Sequence, residues 1–118
     1  MKAFPLTTDH KPDDPKEQWR IEATGAWVRP EINEPWFEPS RVYFDEHNLR
    51  RGPGLAMSRG LGDLDADRAG IICTPTVSHH TLQPGKDKFI VMASDGLWEF
   101  LDSQDVAEVV NGFQERGA

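Results

Sequence analysis

The chain has 118 residues, 37% of them hydrophobic and 28% charged, so it is long enough for one ordinary domain with a modest core. Acidic residues outnumber basic residues by 20 to 13 and the formal net charge is −7, which argues against binding to nucleic acid or to an anionic membrane surface. Neither a membrane-spanning run nor an apolar signal region is evident, and Cys73 is the single cysteine, so we predict an intracellular protein, cytoplasmic or nuclear.

The first quarter of the chain predicts a short strand followed by a helix. Phe4 to Thr7 is a plausible strand. Asp14 is a favourable N-cap, Pro15 suits the first helical position, and Glu17 stands at the third, where it completes a capping pattern. Gly25 is the expected stop. The segment therefore predicts a helix that begins after Asp14 and ends before Gly25.

The next segment has the composition of a long irregular loop. Proline, glutamate and asparagine dominate from Pro30 to Pro39, with Trp36 and Phe37 between them. Such a segment predicts irregular structure that carries a few aromatic side chains. Arg41 to Phe44 alternates as a weak strand, and Asn48 to Gly54 is a basic loop containing glycine.

The second half predicts strands and then a helix. Ile71 to Cys73 and Thr76 to Ser78 form a strand pattern interrupted at Pro75. Phe89 to Ala93 is a short apolar run after the turn residues Pro84 and Gly85, which predicts a buried strand.

The C-terminal segment has the pattern of an amphipathic helix. Asp102 is a suitable N-cap, and apolar residues recur at positions i, i+3, i+4 and i+7: Val106, Val109, Val110 and Phe113. We expect this apolar stripe to pack against the rest of the fold.

Asp95 is the most informative single residue, because it follows the apolar run from Phe89 to Ala93 and precedes Gly96. A carboxylate at the end of a buried strand loses hydration unless a partner neutralises it, and a hard divalent cation is one such partner. Local chemistry also permits Asp95 to cap the turn that follows. Both interpretations stay open at this point.

Several motifs together resemble the metal-dependent type 2C Ser/Thr protein phosphatases. The run from Ala93 to Leu101, with the helix after it, is similar to the aspartate motif of that family. Pro53 to Asp63 resembles the exit of its flap, and Leu6 to Pro12 resembles a strand that leads into a helix. The helix-and-turn segment between them matches at Glu17, Arg20, Ile21, Gly25 and Val28. These motifs occur in the family's order and cover about the whole chain.

The resemblance implies an α+β fold that is part of a β-sandwich flanked by helices. Residues 1–118 would be one partial catalytic domain, truncated on its N-terminal side, with a flap-like segment at about 26–54. The family's Asp-Gly-His-Gly and Gly-Asp-Ser-Arg motifs and its late Asp-Asn pair do not occur in these residues. We therefore expect the chain to begin near the middle of the family's domain and to end before its last metal ligand.

The resemblance also implies a reaction and its site. The reaction is hydrolysis of phosphoserine or phosphothreonine in a phosphoprotein substrate, with water activated between two Mg²⁺ or Mn²⁺ ions. Asp95 would be a metal ligand, and Glu99 would help to hold a further ion, unless it is simply an exposed turn residue. Arg41, Arg50 and Arg51 of the flap are candidates for contact with the substrate. One aspartate cannot position two ions, so we expect the isolated chain to be inactive.

Two other functions remain as alternatives. The first hypothesis is a non-catalytic, phosphatase-like module that binds or regulates partners through its flap. The run from Ala56 to Gly60 also approximates the nucleophile elbow of a serine hydrolase around Ser58, with His79 or His80 as the base. This second pattern is weak, because Ala56 stands where the elbow has glycine. The sequence leaves the oligomeric state open.

Overall fold

A computed structural model describes residues 1–117 as a small α+β protein with two compact units. One unit contains Asp9–Thr76, and the other contains Met1–Thr8 together with the chain from Val77 onward. The α+β class predicted from the sequence is confirmed. No helix within residues 1–117 has both the length and the apolar character needed to cross a membrane.

Three short strands form an antiparallel sheet in the unit Asp9–Thr76. They are β1 (Trp27–Arg29), β2 (Arg41–Tyr43) and β3 (Pro53–Leu55), with β2 in the centre. Val28 faces Val42 across the first pair, and Val42 faces Leu55 across the second. The predicted strand at Arg41 is thus confirmed. This is the only sheet in residues 1–117, so a sandwich of two sheets is not seen in the described chain.

Helix α1 (Pro15–Glu22) forms where the sequence predicts it. Pro15 occupies the first turn, where its missing N–H costs no hydrogen bond. Asp14 has the extended backbone of an N-cap, but its side chain makes no capping hydrogen bond. The predicted capping role of Glu17 is wrong, because this residue is buried and bound to arginines, as described below.

The hydrophobic core of this unit lies between α1, the sheet, a 3-10 helix at Leu64–Ala69 and the residues that follow this helix. Its members are small or branched aliphatic residues: Ile21, Ala26, Val28, Val42, Ala66, Ala69 and Ile71. Gly70 comes close to α1, since a Cβ atom there would lie 3.0 Å from the Cα of Ile21. Its φ of +76° also favours glycine. The absence of a side chain at Gly70 therefore brings the two segments together.

Helices α2 (Asp95–Trp98) and α3 (Ser103–Glu115) belong to the other unit. The Asp102 carboxylate accepts a 2.8 Å hydrogen bond from the Asp105 N–H, and the Asp105 side chain accepts one from the Asp102 N–H, so the predicted N-cap is confirmed as a capping box. The apolar stripe is only partly covered. Val106 and Ala107 are buried, whereas Val109 and Phe113 are more than half exposed.

Three predicted strands are absent from the described chain. Phe4 to Thr7, Thr76 to Ser78 and Phe89 to Ala93 have no strand pairing, and Ile90 and Met92 are 60% and 92% exposed. Ile72 makes only an isolated parallel bridge with Arg59. A strand needs the backbone of a neighbour to satisfy its N–H and C=O groups, and residues 1–117 supply no neighbour for these runs. The prediction of a paired strand is therefore wrong for these three runs within residues 1–117.

Hydrogen exchange can test this difference between predicted and observed pairing. The amides of Phe89 to Ala93 should exchange quickly in the 118-residue chain, because no backbone acceptor binds them. The amides of Val106 to Val110, inside α3, should exchange more slowly. Equal protection in the two segments, measured by amide-resolved NMR, would show that the run at Phe89 is paired after all.

Candidate functional site

The two predicted metal ligands lie on one helical turn. Asp95 is the first residue of α2, and Glu99 follows its end. The Glu99 N–H donates a 2.9 Å hydrogen bond to the Asp95 carbonyl oxygen, so the four-residue spacing places the two residues on one side of the turn. The indole N–H of Trp98 donates to the Ala93 carbonyl oxygen at 2.9 Å and fixes the turn to the preceding segment.

Both carboxylates are exposed and available for a ligand. Neither the Asp95 side chain nor the Glu99 side chain accepts a hydrogen bond from any residue in 1–117, so the alternative of Asp95 as a turn cap is not observed. Two neighbouring carboxylates repel each other unless a cation lies between them, and oxygen donors are those that Mg²⁺ and Mn²⁺ prefer.

The pair alone does not complete a metal centre. Within residues 1–117, no three side chains of histidine, cysteine, aspartate or glutamate converge on one point. Two ions with near-octahedral coordination need more ligands than Asp95 and Glu99 can give. The chemistry of the donors therefore fits one edge of a hard-cation site, and the described chain does not fit the whole of a two-metal site.

The three predicted substrate arginines have different environments in the other unit. Arg41 lies on β2, and its guanidinium donates a 2.7 Å hydrogen bond to the Gly54 carbonyl oxygen, which ties β2 to β3. Arg50 and Arg51 belong to a 3-10 helix at Leu49–Arg51 and are exposed. Arg51 also lies 3.6 Å from the Asp45 carboxylate. Their contact with a substrate stays a prediction.

The strongest charged cluster in the structure was not predicted from the sequence. It is centred on the Glu17 carboxylate, which is only 5% exposed. Arg20 donates to Glu17 at 2.6 Å, Arg59 donates through Nε at 2.7 Å, and the Ser58 hydroxyl donates at 2.9 Å. We call Glu17, Arg20, Ser58 and Arg59 the Glu17 cluster. The sequence indicates only the pair Glu17 and Arg20, which are three residues apart on the predicted helix. Arg59 is 42 residues away from Glu17 in the sequence.

The environment of Glu17 strongly favours its ionised form. Hydrogen bonds from Arg59, and then from Arg20 and Ser58, outweigh the cost of burial and lower the pKa of Glu17 from 4.5 to about 2. The same contact raises the pKa of Arg59 above its usual value. Glu17 is therefore ionised at neutral pH, and Arg59 remains a cation.

The Glu17 cluster joins four segments of backbone. Arg20 also donates to the carbonyl oxygens of Gly70 and Ser58, at 2.9 and 2.8 Å, and Arg59 donates to that of Thr74 at 2.8 Å. Helix α1 is thus held to Ser58 and Arg59, which lie within the Pro53 to Asp63 motif, and to the chain after the 3-10 helix. Ser58 is fully buried with its hydroxyl bound to Glu17, so its role is structural and the serine-hydrolase prediction has no support.

Comparison with known proteins places the chain in a family. The family model for Protein phosphatase 2C matches residues 1–117, so the chain belongs to the protein phosphatase 2C family. This confirms the resemblance that the motifs indicated.

Similar curated proteins come from plants. "Probable protein phosphatase 2C 1" of Arabidopsis thaliana is 42% identical over all 118 residues, which are 24% of its own length. "Probable protein phosphatase 2C 12" of Oryza sativa subsp. japonica is 39% identical over 93% of this chain and 27% of its own. The chain therefore spans about a quarter of the length of these relatives.

Replacement of Glu17 should destabilise the protein in a pH-dependent way. A pKa shift from 4.5 to about 2 is worth on the order of 3 kcal/mol at roughly 1.4 kcal/mol per unit, so Glu17→Gln should lower the free energy of unfolding by about that amount at neutral pH. Because the folded-state pKa is depressed, this stabilisation is complete above 4.5 and is lost as pH falls towards 2. Urea unfolding at several pH values measures it.

Glu22→Gln is the matched control, because Glu22 lies on the same helix and is exposed. Its carboxylate accepts a hydrogen bond only from the Gln18 side chain. Its effect should stay within about 0.5 kcal/mol. A difference between the wild type and Glu17→Gln that does not shrink in acid would contradict the electrostatic origin of the effect.

Proposed function

We propose that this chain is part of a protein serine/threonine phosphatase that hydrolyses phosphoserine and phosphothreonine in protein substrates and depends on Mg²⁺ or Mn²⁺. Family membership supports phosphatase function in general. The observation that carries the finer proposal is the turn at Asp95, where two exposed carboxylates with unused oxygens lie one helical turn apart.

In this proposal Asp95 and Glu99 supply part of the ligand set of the metal centre. The remaining ligands come from parts of the protein outside these residues. This agrees with the finding that the chain spans only about a quarter of the length of each relative. Bound hard cations lower the pKa of a coordinated water and neutralise charge on phosphoryl oxygens. The hydrogen bonds of the Glu99 N–H and the Trp98 indole hold the backbone of the turn that carries both carboxylates.

The flap-like segment is proposed to contact the substrate. Its three strands give it a rigid base, while Trp36 and Phe37 are 69% and 61% exposed. Arg50 and Arg51 are exposed at its 3-10 helix and can meet a phosphorylated peptide, whereas Arg41 is occupied by the Gly54 carbonyl oxygen. Arg41 holds β3 to β2 through this bond, and its contact with a substrate stays a prediction.

A non-catalytic binding module is the second candidate. It is favoured by the incomplete ligand set within residues 1–117 and by the exposed aromatic pair at Trp36 and Phe37. Binding of a phosphoprotein without its hydrolysis by the complete protein would support this candidate.

Metal binding tests the role of Asp95 in the chain itself. The 118-residue protein should bind Mn²⁺ weakly, and Asp95→Ala should raise the dissociation constant at least tenfold, about 1.4 kcal/mol, because it removes one of two ligands. Asp9→Ala, at another exposed aspartate, is the control and should leave binding unchanged. Titration calorimetry or manganese relaxation gives the constants, and equal binding by the Asp95 and Asp9 variants would contradict the assignment.

Catalysis tests the whole proposal. The isolated chain should not hydrolyse p-nitrophenyl phosphate above background at any Mn²⁺ concentration, since its ligand set is incomplete. A protein that includes the flanking coding sequence should do so, and Asp95→Ala should reduce its rate to background while Asp9→Ala does not. Metal-dependent turnover by the isolated chain, or an active Asp95→Ala protein, would refute the proposed site.

A further inference from the structure

A small open pocket lies beside the turn between α1 and β1. Its volume is about 210 Å³, and it is lined by Thr24, Gly25, Ala26, Phe44, Arg51 and Arg68. All six residues belong to the unit Asp9–Thr76. Apart from Arg51, none of them has a part in the site described above, and we call this space the Arg51–Arg68 pocket.

Six of the seven arginines of this unit fall into two groups. Arg20, Arg29, Arg41 and Arg59 all donate short hydrogen bonds to protein acceptors and so hold the fold together. In residues 1–117, the guanidiniums of Arg51 and Arg68 donate no such hydrogen bond. Their nearest carboxylate contacts are long, 3.6 Å from Arg51 to Asp45 and 3.9 Å from Arg68 to Asp65.

These long, exposed ion pairs are weak enough for a stronger acceptor to replace them. Arg68 and Asp65 are 77% and 91% exposed, so solvent screens their attraction. A guanidinium is a planar fork of N–H donors that matches a phosphate group, whose several oxygens accept more than one hydrogen bond at once. The Arg68 guanidinium also lies 5.8 Å from the centre of the Phe44 ring, which restricts its position at the pocket wall.

We infer that the Arg51–Arg68 pocket binds the phosphate group of a phosphorylated serine or threonine side chain, as a docking site built from residues other than Asp95 and Glu99. Two guanidiniums with unused donors on one pocket favour a dianion over a carboxylate or a neutral group. The overall charge of −7 gives no general attraction for anions, so selectivity must come from this local pair. The identity of the ligand as a substrate phosphopeptide rests on the proposed function, while the phosphate site itself does not.

Inorganic phosphate is the first probe, added to the 118-residue chain in metal-free buffer at constant ionic strength and followed by NMR. Saturable shifts are expected at the amides of Gly25 and Ala26, with a dissociation constant on the order of 1 mM, as suits an exposed site with competing carboxylates. Arg51→Gln and Arg68→Gln should each weaken binding at least fivefold. Arg116→Gln, at an exposed arginine that does not line the pocket, should leave it unchanged.

A second probe distinguishes a phosphorylated side chain from free phosphate. The tripeptide acetyl-Gly-phosphoserine-Gly-amide should bind at least as tightly as inorganic phosphate, and its unphosphorylated form should not bind. Loss of binding in all three arginine variants alike, or the same shifts with chloride, would overturn the site. Phosphate binding without phosphopeptide binding would overturn its role in docking. Since no metal is present, neither result depends on whether Asp95 supports catalysis.

Discussion

The ion pair between a buried carboxylate and two arginines is the constraint on which the described fold depends most. Glu17 accepts hydrogen bonds from Arg20, Arg59 and Ser58. The two arginines also donate hydrogen bonds to three backbone carbonyl oxygens. Removal of one partner would leave a buried charge unpaired, which costs more than the pair itself contributes. Helix α1 and the Pro53 to Asp63 motif are therefore held together by electrostatics as well as by apolar packing.

Backbone pairing between strands is the second constraint, and the two units differ in it. In Asp9–Thr76 the strands are very short, yet β2 has a partner on both sides and Val42 is fully buried. In the other unit the apolar run at Phe89 has no partner within residues 1–117, and its side chains stay largely exposed. The capping box at Asp102 and the packing of Val106 and Ala107 give that unit its local order.

The arginines show how one residue type serves two purposes in the same unit. Those whose donors bind carbonyl oxygens or Glu17 are part of the framework, including Arg41, one of the three predicted substrate arginines. Arg51 and Arg68 make only long contacts with carboxylates, which solvent screens, so a bound ligand can replace those carboxylates. Position in the sequence does not separate the groups, since Arg41 and Arg51 both belong to the flap-like segment.

The sequence by itself determined the local features and the family. Pro15 after Asp14 specified the start of α1, and Asp102 with the apolar repeat specified α3, because helix signals depend on residues a few positions apart. The motif at Asp95 likewise identified the family and placed Asp95 and Glu99 on one turn. Tertiary structure alone decided which extended runs pair, that Glu17 binds Arg59 instead of capping its helix, and that Arg51 and Arg68 share a pocket. Each of these depends on groups 10 to 42 residues apart, a separation over which composition and periodicity carry no information about contact.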